Sequence, residues 1–189
     1  MSAPDAPDAA PAAADATAAA AADDELDRQR RRVLWALPTG LYLIGSRHGD
    51  DVNLMTANLV VQVCMEPKLV GVAIEHESVT AGLVTAGGGF TVSLLARTDR
   101  EVVRRFVKPV KEVERGPDGT VLGLSGRPVT EVGPNRLPVL ASAVGYLDCA
   151  LTSSEPFGSH LFCVGEVTGV GGEPAEVLRM EDTRMHYGG

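Results

Sequence analysis

LYLIGSRHGDDVNLMTANLVVQVCMEPKLVGVAIEHESVTAGLVTAGGGFTVSLL, residues 41–95, is the stretch whose reading decides the fold. Leu41–Ser46 reads as a strand, and His48-Gly49-Asp50-Asp51 is a turn cluster behind it. Val52–Asn58 combines small and amide residues with a methionine and reads as a loop. It enters a second β-rich run, Asn58–Met65, and Leu69–Glu75 follows as a third after Glu66-Pro67-Lys68. Ser78 is placed to N-cap a short helix over Val79–Ala86, and Gly87-Gly88-Gly89 ends it. Phe90–Leu95 returns as a strand.

Upstream, Leu26, Val33, Leu34 and Leu37 form one stripe at helical spacing, so a helix is expected from Asp24 until Pro38-Thr39-Gly40 stops it. Residues 1–22 hold 13 alanines and three prolines. With nothing large to bury, residues 1–23 read as a disordered tail and 24–189 as the domain. Downstream, Thr98 and Glu101 have capping-box spacing, which predicts a helix to about Val107. Residues 108–140 are rich in Pro, Gly and charge, with short strands at best near Thr120–Leu124. Tyr146–Leu151 and His160–Val170 read as two long strands around a turn at Ser153–Gly158. Six or more strands, about three short helices and no regular βαβ alternation argue for an antiparallel barrel with helices at its ends.

The chain has 189 residues, 44 % apolar and 22 % charged, with a formal net charge of −8. That is one domain's worth of chain, and no apolar run approaches the roughly 20 residues of a membrane helix. Residues 1–27 contain seven acidic side chains and no base, so only −1 remains beyond them. A near-neutral body is no nucleic-acid surface. Arg28, Arg30, Arg31 and Arg32 read as a solvated helix face balanced by the acidic stretch, or else as a contact patch. Cys64, Cys149 and Cys163 are odd in number and lack a CxxC, which offers no metal knuckle. No secretory pattern opens the chain, so a reduced, cytoplasmic setting is expected.

No GxSxG, P-loop, HExxH or GxGxxG is present, and the four histidines have no pair at ligand spacing, so no metal is expected. Chemistry therefore has to be sought in ordered short motifs. Pro38-Thr39-Gly40, Asn53…Met55-Thr56-Ala57-Asn58, Glu66-Pro67-Lys68-Leu69-Val70 and Ser78-Val79-Thr80 come first. Gly89-Phe90-Thr91-Val92-Ser93-Leu94-Leu95, Arg104-Arg105-Phe106, Gly158-Ser159-His160-Leu161-Phe162, Val164-Gly165-Glu166-Val167 and Tyr187-Gly188-Gly189 follow. In this order they resemble the flavin-reductase-like family of FMN-binding split barrels, over about residues 28–189.

The resemblance implies a mainly β chain with some α: an antiparallel, Greek-key-like split β-barrel with a few peripheral helices. It implies a homodimer binding FMN, with FAD as the variant, in a groove between subunits, and NAD(P)H as reductant. Many such proteins supply reduced flavin to a flavin-dependent monooxygenase partner. Thr56, Ala57 and Asn58 would line the flavin ring, with Asn53 and Met55 at the edge and Thr39 in the preceding motif. N–H donors there would stabilise the reduced ring. Ser78, Val79 and Thr80 open a helix, where free N–H groups and the dipole favour the flavin phosphate. Lys108 is the matching base, or else a solvated lysine. His160 would orient the nicotinamide carboxamide or manage a proton near the ring.

Some positions depart from the family pattern. Leu59-Val60-Val61-Gln62 stands where relatives carry serines, leaving Gln62 as the polar substitute. Ser93 stands where Asn is common, and Ala81 where His is. The expected activity is an NAD(P)H:flavin oxidoreductase. The alternatives are a flavin-holding electron-transfer protein without reductase activity, and a structural dimer that has lost flavin.

Overall fold

The computed structural model describes residues 10–173 and 175–185. Helix α1 (Ala10–Trp35) starts well before Asp24, so residues 10–23 are helical where a disordered tail was expected. Pro11 falls in the first turn, where its missing N–H costs nothing, and the alanines after it are the best helix formers. The first nine residues of that tail lie outside the described residues. On α1, Arg28 pairs with Glu25 at 2.8 Å and Arg31 pairs with Asp27, as a solvated helix face does.

Thr39–Met185 form one compact unit. Strands β1 (Tyr42–His48) and β2 (Asp51–Ala57) make a hairpin, turning at Gly49 with φ +59°. The segment expected as a loop is thus β2, in register with β1 from His48↔Asp51 to Tyr42↔Ala57. Its polar residues misled because Asn53 and Thr56 bond inside the protein rather than facing water. Then come β3 (Val60–Cys64), β4 (Leu69–Glu75), α2 (Val79–Gly87) and β5 (Gly89–Leu94). Ser78 caps α2 as expected, and Gly88 ends it at φ +71°.

Helix α3 is only Val102–Arg105, and the expected capping box does not form. The chain before it is held by the C-terminal segment: Ala96 bridges Val177, and Arg97 N–H donates to the Glu176 carbonyl at 2.9 Å. Residues 113–140 carry more strand than expected: β6 (Val113–Arg115), β7 (Val121–Leu124), β8 (Arg127–Val132) and β9 (Leu137–Leu140). Strands this short show no clear period. The long strands are β10 (Gly145–Phe157) and β11 (His160–Gly172), so Ser153–Phe157 is strand rather than turn. That half of β10 pairs only with β11, because β5 reaches no further than Ala150, so polar residues suit it.

All pairing is antiparallel, in the orders β2-β1-β5-β10-β11-β4-β3 and β6-β7-β8-β9. In the larger sheet β2 and β3 are the two edges, yet only Asn58 and Leu59 separate them in sequence. A flat sheet would hold those edges about 29 Å apart, and so short a linker spans about 11 Å. The sheet must therefore curl until its edges approach, without pairing. Alternation along β1 feeds two cores. Ile44 joins Val72, Ile74, Val84, Phe90 and Val92, whereas Leu41 and Leu43 join Leu54, Val103, Phe106, Leu124 and Leu140.

Candidate flavin site

Asn53 is the pin of the site. It is 2 % exposed; its Nδ2 donates to Thr80 Oγ1 at 2.9 Å and its Oδ1 accepts from Val110 N–H at 2.9 Å. One edge-strand amide thus joins β2 to the start of α2 and to the segment after α3. Thr56 adds two bonds on the same edge: its N–H donates to the Phe106 carbonyl at 2.9 Å and its hydroxyl to the Val103 carbonyl at 2.6 Å. Residues 106–110 therefore run along β2 from Thr56 to Asn53. Lys108, between these two anchors in sequence, is exposed.

At α2, Ser78 Oγ accepts from Ala81 N–H at 3.2 Å. Among the described residues no acceptor meets the N–H groups of Val79 and Thr80. These are first-turn donors with no partner inside the helix, and they favour an anion. Thr80's hydroxyl is committed to Asn53. Val79, 49 % exposed, leaves the helix end open to solvent.

His160 opens β11 opposite Glu75 of β4. Its Nδ1 meets Ser159 Oγ at 2.9 Å, while its Nε2 is buried without a partner. His76 N–H donates to the Ser159 carbonyl at 3.0 Å, setting this hairpin end beside the loop that leads into Ser78. Asn58, 6 % exposed, likewise has a buried Oδ1 without a partner.

Several expected roles change. Thr56's N–H and hydroxyl are spent within the protein, so neither is a free ring donor. Ala57 packs in the core with Ile44 and Val72 rather than on a groove wall. Met55 is half-buried against that same core. Gln62 lies apart on β3, its Nε2 donating to the Cys64 carbonyl at 3.2 Å. It lines a cavity of about 360 Å³ with Tyr42, Val70, Leu94 and Leu147. Thr39 accepts from Met180 N–H at 2.9 Å and bonds to none of the other named residues. Sequence reading missed the Val103 and Phe106 carbonyls and the Val110 N–H, since backbone groups carry no residue signature. Ser159 was visible in its motif but had no role there. Among the described residues no three metal-ligating side chains cluster.

The family model described as Flavin reductase like domain matches residues 34–188. A high molecular weight rubredoxin of Moorella thermoacetica is 31 % identical over 72 % of this chain, which spans only 57 % of that protein's length. An NADH-dependent FAD reductase of Streptomyces globisporus is 31 % identical over 76 % of each chain. The solved NADH:FAD oxidoreductase SgcE6 of Streptomyces globisporus, in complex with NAD and FAD fragments, superposes with a TM-score of 0.67. It is 27 % identical, over 81 % of this chain and 87 % of that one.

Proposed function

Because the chain belongs to the flavin reductase like domain family, we propose that it is an NAD(P)H:flavin oxidoreductase of the split-barrel type. Hydride passes from reduced nicotinamide to bound FMN, with FAD as the alternative flavin. The flavin supplies the redox chemistry; the chain binds, orients and shields it. One observation carries the reading: Asn58 Oδ1 and His160 Nε2 are buried polar atoms without partners, and α2 starts with free N–H groups. Buried polar atoms are normally satisfied, so these await a ligand.

Asn58 Oδ1 accepts from the imide N–H that a flavin ring presents. The Val79 and Thr80 N–H groups take the phosphate, with Lys108 close along the chain. With Ser159 Oγ donating to Nδ1, His160 carries its proton on Nε2 and offers it to the nicotinamide carboxamide. No proton need move in a direct hydride transfer, so these groups position the flavin and the nicotinamide.

The functional unit is a homodimer. Edge strand β3 exposes Val61 and Val63, Met65 follows it 80 % exposed, and the apolar 360 Å³ cavity opens beside them. A second copy would cover this face, as part of an interface of the roughly 1,200 Å² or more that stable association takes. Reduced flavin then leaves for a flavin-dependent monooxygenase in the cytoplasm. Among the described residues no helix is long and apolar enough to cross a membrane. Anaerobic mixing of the flavin-loaded protein with NADH and with NADPH tests the reading: the visible flavin band should bleach with at least one. Retained colour with both would overturn the reductase in favour of a flavin-holding electron carrier.

A further inference from the structure

The β8–β9 turn and the β10–β11 ladder enclose a cavity of about 310 Å³, lined by Gly133, Asn135, Tyr146, Asp148, Thr168 and Val170 among others. None of its lining belongs to the site around Asn53. Thr168 lies eight residues along β11 from His160, on the order of 26 Å at the rise of a strand.

A bulge builds this cavity. Asp148 pairs with Gly169 and Cys149 with Val167, leaving Thr168 as the extra residue. A bulge of this kind bends its strand and re-aims the side chains beside it. The Thr168 hydroxyl donates to the Asp148 carbonyl at 3.3 Å and fixes the bend. Glycines leave room for the acid. A Cβ on Gly133, whose φ is +64°, would stand 2.1 Å from Asp148 Oδ2, and one on Gly169 would stand 3.3 Å from Asp148 Cβ.

Asp148 is 7 % exposed, and among the described residues no donor or cation pairs with its carboxylate. An isolated buried carboxylate is costly, so natural proteins pair such groups. Burial pushes its carboxyl above the usual range. No side chain of the wall is bonded to the carboxylate, which faces the open cavity. No lysine or arginine lines the cavity. The Asn135 amide donates to the Gly87 carbonyl at 3.4 Å, and the Thr168 hydroxyl is already committed. The flanks from Val132, Pro134 and Val170 are apolar, and the mouth opens past exposed residues 133–136.

We propose that this cavity binds a small organic cation, a primary alkylammonium or alkylguanidinium, with its charged head on the Asp148 carboxylate. The head supplies the charge-assisted hydrogen bonds that the carboxylate lacks. The alkyl stem lies along Val132, Pro134 and Val170, in a volume at the small end of the range for ligand pockets. A neutral alcohol of equal length keeps the stem contact and loses the ion pair.

The test titrates the full chain with n-butylammonium, n-butylguanidinium and n-pentanol, followed by calorimetry and by the Asp148 carboxyl carbon resonance. Both cations should bind in the millimolar range or tighter and move that resonance, with n-pentanol at least about tenfold weaker. Asp148→Asn should abolish the preference for cations without lowering the melting temperature, and flavin binding should stay unchanged. Should that variant fail to fold, the comparison of cation with alcohol on the natural chain still decides. Equal binding of n-pentanol and the cations, or no response through the millimolar range, would overturn the proposal and leave a water-filled cavity.

Discussion

Replacing Asn53 with alanine removes both bonds of the pin at once. The loss strands the Val110 N–H and the Thr80 hydroxyl in a place where Asn53 itself is 2 % exposed. Each hydrogen bond contributes about 1 kcal/mol net, and a stranded buried donor costs about 1–3 kcal/mol more. Water can enter the vacated space and both accept from the Val110 N–H and donate to the Thr80 oxygen, so the lower half of that range applies. The expected loss is about 3–4 kcal/mol, roughly 6–16 °C in melting temperature for a chain of this size. Asn53→Asp separates architecture from charge. Its carboxylate still accepts from Val110, and the Thr80 hydroxyl turns to donate to it, so stability should fall by only about 1 kcal/mol. The new negative charge sits against the start of α2, where an anion is proposed to bind. FMN should then bind on the order of tenfold more weakly, with riboflavin much less affected, since only FMN carries the phosphate. Thermal melts and fluorescence titrations with both flavins read the two effects. An Asn53→Ala protein melting within a degree of the natural one would refute the pin. Unchanged FMN binding in a folded Asn53→Asp would move the phosphate elsewhere.

Glu131 anchors the β8–β9 hairpin, with Arg47 Nη1 and Arg136 Nε each 2.6 Å from its carboxylate. Burial alone would raise its carboxyl, but the Val121 N–H, Arg136 and Arg47 outweigh that and hold it below the usual range. Its contribution is therefore complete above the unfolded carboxyl's pKa and is lost as pH falls through the folded value. Glu131→Gln should melt lower at neutral pH and show a flatter acid limb; an unaltered limb would refute this assignment. Burial, reinforced at Cys149 by Asp148, pushes the Cys149 thiol up to about 12, and burial raises Cys163 to about 11. A disulfide thiol reagent at mild alkaline pH should therefore modify only Cys64 in the native protein, and reaction at all three would contradict the buried placement. Ala57→Leu overpacks the core and should cost about 1–3 kcal/mol in urea unfolding whether or not flavin is present. Normal stability with lost flavin binding would return Ala57 to a groove wall.

β-rich apolar runs made β1, β4 and β5 legible, and the Ser78 cap with Gly87-Gly88-Gly89 made α2 so. Ser78 as the cap of α2 needed only local chemistry. β2 was not legible, since its amide and hydroxyl residues read as a loop, when in fact Asn53 and Thr56 are spent on Thr80, Val103 and Val110, 27 or more residues away. α1's true start and the failed capping box were missed for opposite reasons. The first was set by propensity after Pro11, the second by the C-terminal segment gripping Ala96 and Arg97. Of the site, the motifs marked Asn53, Asn58, Ser78 and His160. They could not tell which polar atoms are spent on the protein and which, like Asn58 Oδ1, are left over.

The two residues between β2 and β3 make a seam held by covalent continuity rather than by a ladder. Cutting the chain at half-exposed Leu59 would leave the β1–β2 and β3–β4 hairpins with their own hydrogen bonds. No strand ladder then joins the two edges among the described pairings, and only side-chain packing holds them, that of Ala57 with Val70 and Val72 and of α2 against β2 and β4. Asn58 would then face solvent from a loose end. The curvature of the sheet, and with it the burial of that one amide oxygen, rests on this short tether together with the core the two edges share.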